Sequence, residues 1–264
     1  MADTSANVDF EKVIPDHQVI LETGAVLLQT LTDVSGWVTK GASSVNFPTV
    51  ASTGTQAAVA RDGSFTDENF AGADDTFNID KKLGGSFSVN VHEDDQNIFK
   101  TKVVKTKGVL KNMGRQADKD MYDKMLAAAS LNHAPTASLL DDVVDMIKEL
   151  DDANVPNDGE RYLYITNASY AIISKEVKDF IRYKTDKDGV VGEIFGVKVV
   201  RGNIAGATTD LMYHRAAAAY AYQTGSPKLM SSEDQKATVE GLSLSRMFGG
   251  KALQTGDLIC KRAI

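Results

Sequence analysis

Cysteine occurs once in the 264 residues, as Cys260, and histidine only four times, at positions 17, 92, 133 and 214. A single thiol excludes a disulfide framework and a cysteine-based structural zinc site. The histidines are scattered, which is sparse for an enzyme. Long apolar runs are also missing: Ala216–Ala221 falls far short of the roughly 18 residues that a membrane span needs. The opening Met-Ala-Asp-Thr-Ser carries neither the basic nor the apolar region of a secretory signal. There is no Gly-x-Ser-x-Gly elbow, no phosphate loop, no dinucleotide fingerprint and no repeat of fixed period.

What remains is an ordinary soluble composition, 42% apolar and 25% charged. Such a chain holds one or two domains with a sizeable core and is too apolar to be wholly disordered. The 29 basic and 36 acidic residues leave a net charge of −7. That balance argues against a nucleic-acid-binding surface spread over the whole protein.

The chain changes character along its length. Met1–Asn7 is small and polar and reads as a loose arm. Val19, Ile20, Val26, Leu27 and Leu31 suit a short helix within 14–34, interrupted at Gly24. From 36 to 90, Gly, Ser, Thr, Ala and Asp dominate. Short alternating runs recur through Val45 and Phe47, then Phe77 and Ile79, then Phe87, Val89 and Val91. With few apolar anchors over 51–75, this predicts a long hairpin with a flexible tip. A hairpin is marginal alone in water and must lie on its own domain or on a partner. Next, Phe99, Val103, Thr106, Leu110, Met113, Ala117 and Met121 form one stripe at spacings of three and four, predicting a helix over 93–130. Lysines 100, 102, 105, 107, 111, 119 and 124, with Arg115, occupy its other faces.

After a break at 131–137, Ser138 caps a helix expected to turn Leu139, Leu140, Val143, Val144, Ile147 and Leu150 inward. Tyr162–Thr166 reads as a buried strand, 168–182 as a helix and 193–201 as a strand. Residues 211–222 suit strand or helix equally. After Pro227 the chain is polar until Val239. Leu242–Met247 and Lys251–Arg262 read as two final strands, with a turn at Gly249-Gly250. The fold class is α+β.

Candidate sites are weak. His214 has the chemistry of a general base, but beside an apolar run its expected role is structural. Asp186-Lys187-Asp188-Gly189 resembles half a calcium loop. Its frame would place Lys184 first and Phe195 last, and neither can supply the required ligand, so a solvated turn is expected. Gly84-Gly85 and Gly249-Gly250 read as turns, and Cys260 as a small buried residue. Asn167-Ala168-Ser169 is a formal glycosylation acceptor without a secretion signal to support its use. The lysine face of the long helix suits DNA phosphates, a neighbouring subunit's acids, or solvent, with DNA ranked last. No catalytic residue, cofactor or metal is predicted, and the chain is not expected to be an enzyme.

The segment from Leu150 to Thr166, with its Leu-Asp-Asp-Ala-Asn-Val-Pro, leads into a strand and then a helix carrying Tyr170. It resembles the major capsid proteins of tailed bacteriophages. Gly192-Glu-Ile-Phe-Gly-Val-Lys-Val-Val, Met212-Tyr-His-Arg-Ala216 and Phe248-Gly-Gly-Lys-Ala-Leu253 are similar to further motifs of that family, in the same order. The resemblance covers about residues 20–264.

It implies a Hong Kong 97-type capsid fold. Residues 1–40 would be the N-terminal arm, 41–92 the E-loop hairpin, and 93–135 the P domain with its spine helix. Residues 136–240 would be the A domain and 241–264 the return strands of the P domain. The implied function is a structural subunit that self-assembles as hexamers and pentamers into an icosahedral shell. That shell would enclose double-stranded DNA without sequence-specific binding, in a virion assembled in the host bacterial cytoplasm. No long scaffold-like segment precedes the arm, which implies a separate scaffolding protein; a portal and a decoration protein are further expected partners, and a membrane is not. Arg61, Asp62 and Glu68 at the hairpin tip, with Lys81 and Lys82, are the candidate inter-subunit contacts. An encapsulin-type nanocompartment shell is the alternative on the same fold. A soluble α+β enzyme is the alternative outside it.

Overall fold

The structure is a computed structural model that describes residues 25–39, 42–50, 72–90, 101–176, 190–202, 204–223, 228–234, 239–253 and 257–264. In chain order the elements are β1 (Thr32–Asp33), β2 (Ser44–Val50), β3 (Gly72–Asn78), β4 (Lys81–Asn90), α1 (Thr101–Ala128), β5 (Leu131–His133), α2 (Leu139–Asp152), β6 (Arg161–Ile165), α3 (Asn167–Glu176), β7 (Val190–Ile194), β8 (Val197–Arg201), β9 (Thr209–His214), β10 (Ala218–Tyr222), β11 (Lys228–Asp234), β12 (Val239–Ala252) and β13 (Ile259–Ala263).

The strands form three sheets. A six-stranded sheet runs β5-β13-β9-β6-β8-β7. A five-stranded sheet is centred on β12, which pairs with β4 along one edge and with β10 and β11 along the other, β1 lying outside β10. β2 and β3 make an antiparallel pair of their own.

Helix α1 follows its sequence pattern. Thr106, Leu110, Met113, Ala117 and Met121 are buried and continue through Met125. Their spacing of three and four puts them on one stripe, which lies across β4 and β12. At 28 residues the helix is about 42 Å long. The expected start at 93, with Phe99, lies outside the described residues. Helix α2 begins as expected, the Ser138 Oγ accepting the Asp141 N–H at 3.3 Å. Its inner face differs: Leu139, Asp142, Val143, Met146 and Leu150 are buried, while Val144 is exposed. Positions 139, 142, 143, 146 and 150 share one face, and Val144 stands about 100° beyond Val143.

Several expectations are corrected. The described part of 14–34 is no helix. Leu28–Thr30 and Ser35–Trp37 are single 3₁₀ turns flanking β1. Residues 131–133, read as part of a break, form β5, paired parallel with β13. The ambiguous 211–222 region is two strands, β9 and β10, joined by a 3₁₀ turn. The polar stretch after Pro227 contains β11, held antiparallel on β12. β12 runs unbroken through Gly249-Gly250, and β4 through Gly84-Gly85. Those glycines mark close approach, not turns. A Cβ on Gly249 would meet the Asn78 carbonyl oxygen, with the Ile79 Cα at 2.8 Å. A Cβ on Gly250 would meet the Met121 sulfur. These positions seat the base of the hairpin and α1 against the sheet.

The main core fills the space between α1, α2 and both large sheets. A small second cluster gathers Val34, Val38, Val45, Phe77, Ile79, Ala219, Ala221 and Leu253 where β2 and β3 meet the five-stranded sheet.

Candidate functional site

The β2–β3 ladder continues past its packed base. Val45 and Phe77 face each other across the ladder and sink into the small cluster. The Ile79 N–H donates to the Ser43 carbonyl at 2.8 Å and closes the base. Beyond Val45–Phe77 the ladder continues through Asn46–Thr76 to Val50–Gly72. Those five rungs extend roughly 17 Å. Arg61, Asp62 and Glu68, expected at the tip, lie outside the described residues. Lys81 and Lys82 open β4 and are exposed, opposite Phe248 and Met247 of β12. β4 itself pairs with β12 over its full length, so the two lysines stand at the edge of a sheet, next to the hairpin base.

His214 is buried at the end of β9. With Asp158 and Glu160 it places three potential ligand atoms within 4.8 Å of one another. Each of the three has a hydrogen-bond partner. The His214 Nδ1 accepts the Ala216 N–H at 3.2 Å, so a neutral ring carries its proton on Nε2. That Nε2–H donates to Asp158 at 3.1 Å. Glu160 accepts from Arg215 at 3.4 Å. The Glu160 N–H on Asp158, then the His214 ring, hold the Asp158 carboxyl below its ordinary range against partial desolvation. The trio is a clasp between β9 and the loop before β6, in keeping with a structural histidine.

A second polar group, which the sequence reading missed, lies inside the six-stranded sheet. Arg262 of β13 donates through Nε to Asp142 at 2.6 Å and through Nη1 to Asp210 at 2.9 Å. All three residues are buried. Asp142 also accepts from the Thr136 N–H at 2.8 Å and pairs with His133 Nε2 at 3.2 Å. Asp210 accepts from Ser169 Oγ at 2.6 Å and the Thr166 N–H at 2.8 Å. Burial raises both carboxyls. At Asp142 the bonds from Thr136, Arg262 and His133 outweigh it and hold the group low; at Asp210 burial prevails. Cys260, two residues before Arg262, is fully buried and donates to Glu149 at 3.1 Å. Burial first, then Glu149, pushes its thiol far up, so it is not a reactive nucleophile. The network ties α2, α3, β5, β9 and β13 together, and every member is committed to another. A sequence signal existed: Cys260 and Arg262 share one face of β13, so burying one buries the other.

A third group fixes the segment after residue 24. Asp118, buried on α1, accepts the backbone N–H groups of Val26 (2.6 Å), Leu27 (3.2 Å) and Leu28 (3.0 Å). Burial pushes its carboxyl up to about 7, against those three bonds. Thr30 Oγ1 and the Tyr213 hydroxyl meet at 2.5 Å and hold the far side of the segment.

Among the described residues, no helix is long and apolar enough to cross a membrane. The loop 184–189, with the half calcium motif, lies outside them. Asn167 of the formal glycosylation site accepts from Arg201 Nε at 3.0 Å, and Ser169 is buried.

No family model matches the chain, and no curated protein does. Solved structures do. A structure from Mycobacterium phage Che8 matches at a TM-score of 0.70 and 18% identity, over 90% of each chain. The capsid of cyanophage P-SCSP1u matches at 0.64 and 14% identity, over 89% of this chain and 86% of that one. A virus-like particle from Pyrococcus furiosus matches at 0.64 and 12% identity, over 96% of this chain and 98% of that one. The α+β fold expected from the sequence is therefore shared, nearly end to end, with subunits of such particles.

Proposed function

We propose that this chain is a structural subunit of a closed protein shell, a major capsid protein that assembles around double-stranded phage DNA. The observation that carries the reading is the β2–β3 ladder, rooted in a small cluster and continuing for five rungs beyond it, on a fold shared with capsid subunits. A two-stranded ribbon gains little stability in water and gains much when laid across a neighbour. The hairpin would serve as the E-loop, α1 as the spine helix of a P domain with β4, β12 and the return strands, and the six-stranded sheet as the A domain. Copies would meet heterologously, with a curvature that closes into hexamers, pentamers and finally a shell. A separate scaffolding protein, a portal and a decoration protein would be its partners in a virion assembled in the bacterial cytoplasm.

Arg61, Asp62 and Glu68 would form ion pairs between subunits, with Lys81 and Lys82 at the hairpin root. Electron microscopy of the purified protein tests the reading: closed particles are expected, and monodisperse monomers under all assembly conditions would refute it. Arg61→Glu should impair shell formation while leaving the subunit's unfolding midpoint unchanged. Normal particles from that variant would remove the tip from the interface. The match to the Pyrococcus furiosus particle supports a second reading, a nanocompartment of the encapsulin type that holds an enzyme cargo. Nuclease-protected DNA inside the particles supports the capsid, and a protein cargo the compartment.

A further inference from the structure

The first half of α1 is a patch of one sign on an acidic protein. Residues 101–117 hold Lys102, Lys105, Lys107, Lys111 and Arg115 and no carboxylate, in a chain of net charge −7. Lys105 is engaged, its Nζ donating to the Ser88 carbonyl at 2.9 Å. Farther on, Lys119 and Lys124 pair with Asp123 and Asp120, both at 2.7 Å. Lys107, Lys111 and Arg115 stand between these groups, exposed and without a carboxylate among the described residues. Val104 beside them is 57% exposed.

This face of α1 continues into a covered one. Positions 107, 111, 118 and 122 fall in a single strip of the helix, at separations of four, seven and four. Asp118 and Tyr122 are buried, and the segment starting at Ala25 docks on Asp118 through the three backbone bonds given above. At Asp118 the strip is thus covered by residues that directly follow 1–24. That preceding stretch carries Asp3, Asp9, Glu11, Asp16 and Glu22 against a single Lys12, together with Val19, Ile20 and Leu21. Reach is ample. Lys111 lies seven residues from Asp118, about 10 Å along the axis, and Lys107 about 16 Å. Four extended residues, Glu22 to Val26, span up to about 13 Å.

We propose that the uncovered strip of α1 (Val104, Lys107, Lys111 and Arg115) is the docking track of this chain's own residues 9–24, whose carboxylates pair with its cations. The arm then runs from its clamp at Asp118 along the helix, and the charge patch belongs to the subunit's own closure. The proposal is independent of whether copies assemble.

The test uses the full chain with Leu21→Cys and Lys111→Cys; the native Cys260 is buried and does not compete. Mild oxidation should give an intramolecular link, read by mass spectrometry of tryptic peptides. Adding Lys107→Glu and Arg115→Glu should lower the yield about tenfold, since two exposed attractions become repulsions. Adding Asp16→Lys and Glu22→Lys to that background should restore it. Circular dichroism of each variant confirms that α1 is intact. A yield insensitive to these charges overturns the proposal. So does a link at twice the subunit mass, which would make a second copy the occupant. Loss of DNA retention or of subunit association with the intramolecular yield unchanged also overturns it, assigning the strip to that partner.

Discussion

The two large sheets are held by opposite means. The six-stranded sheet keeps charge inside: Arg262 bridges Asp142 and Asp210, and Thr136, His133, Ser169 and the Thr166 amide fill their remaining acceptor positions. The five-stranded sheet is held by close approach: Gly249 lies on the backbone of Asn78 and Ile79, and Gly250 on Met121. A satisfied ionic network tolerates little rearrangement, because each group released becomes a buried orphan. A glycine seam carries no such penalty, and the attached β2–β3 ladder is held at its base by apolar contacts and one backbone hydrogen bond. The contrast is between a sheet closed around buried charge and a sheet that carries the base of a hairpin.

The strongest way to break that contrast is at Arg262. Arg262→Met should cost about 3–5 kcal/mol, because two buried carboxylates lose the cation that bridges them. Urea unfolding of the isolated subunit measures it. Adding Asp142→Asn and Asp210→Asn should recover part of the loss, since neutral amides tolerate burial without a cation. A cost below 1 kcal/mol for Arg262→Met would show that the sheet rests on packing alone, and the contrast would fail.

Asp118 sharpens the comparison, being a buried carboxylate whose donors among the described residues are three backbone N–H groups. Its folded-state value of about 7 lies above the ordinary 3.8. The folded chain therefore holds this proton more tightly than the unfolded chain. The stability it contributes is full below about pH 4 and is lost as pH rises through 7, a decline on the order of 4 kcal/mol. The Asp118→Asn variant should lack this decline. The difference between the two unfolding profiles across pH isolates it from every other group.

At the glycine seam the expected effect is smaller and local. Gly249→Ala forces the Asn78–Ile79 backbone to shift and should cost about 1–3 kcal/mol. Hydrogen exchange should quicken in β2 and β3 and stay unchanged in β6 and β9. Equal loosening of both sheets would mean that the seam and the ionic network form one cooperative unit.

These two devices also mark where sequence reading succeeds and fails. The stripe of α1 and the buried run of β6 are local periodicities, legible because neighbours in sequence share a face. Gly84-Gly85 and Gly249-Gly250 carry the local signature of turns, yet the constraint on Gly249 comes from Asn78, far away in sequence. Asp142 in the first turn of α2 looks like a residue placed for the helix dipole, and only the fold brings Arg262 to it. The hairpin was legible as alternation up to Phe77. Its outer contacts are not written in one chain's periodicity: on the proposed reading, the surface it would meet belongs to another copy.

The last comparison sets a solvent-exposed Lys–Asp pair beside the buried Arg262 pairs. Lys119 and Asp123 pair at 2.7 Å on α1 with side chains 56% and 55% exposed, close to the Arg262–Asp142 separation of 2.6 Å. Distance alone would rank the two pairs as equals. Solvent does not: water and salt screen the outer pair, and holding two long side chains in one geometry cancels much of what is left. Lys119→Ala should therefore change the unfolding free energy by less than about 0.5 kcal/mol, and by less still at high salt. Urea midpoints at low and high salt measure both. A loss comparable with that of Arg262→Met would show that the charge pair itself, and not its removal from water, sets the cost, and the reading of the six-stranded sheet would have to be rebuilt on that basis.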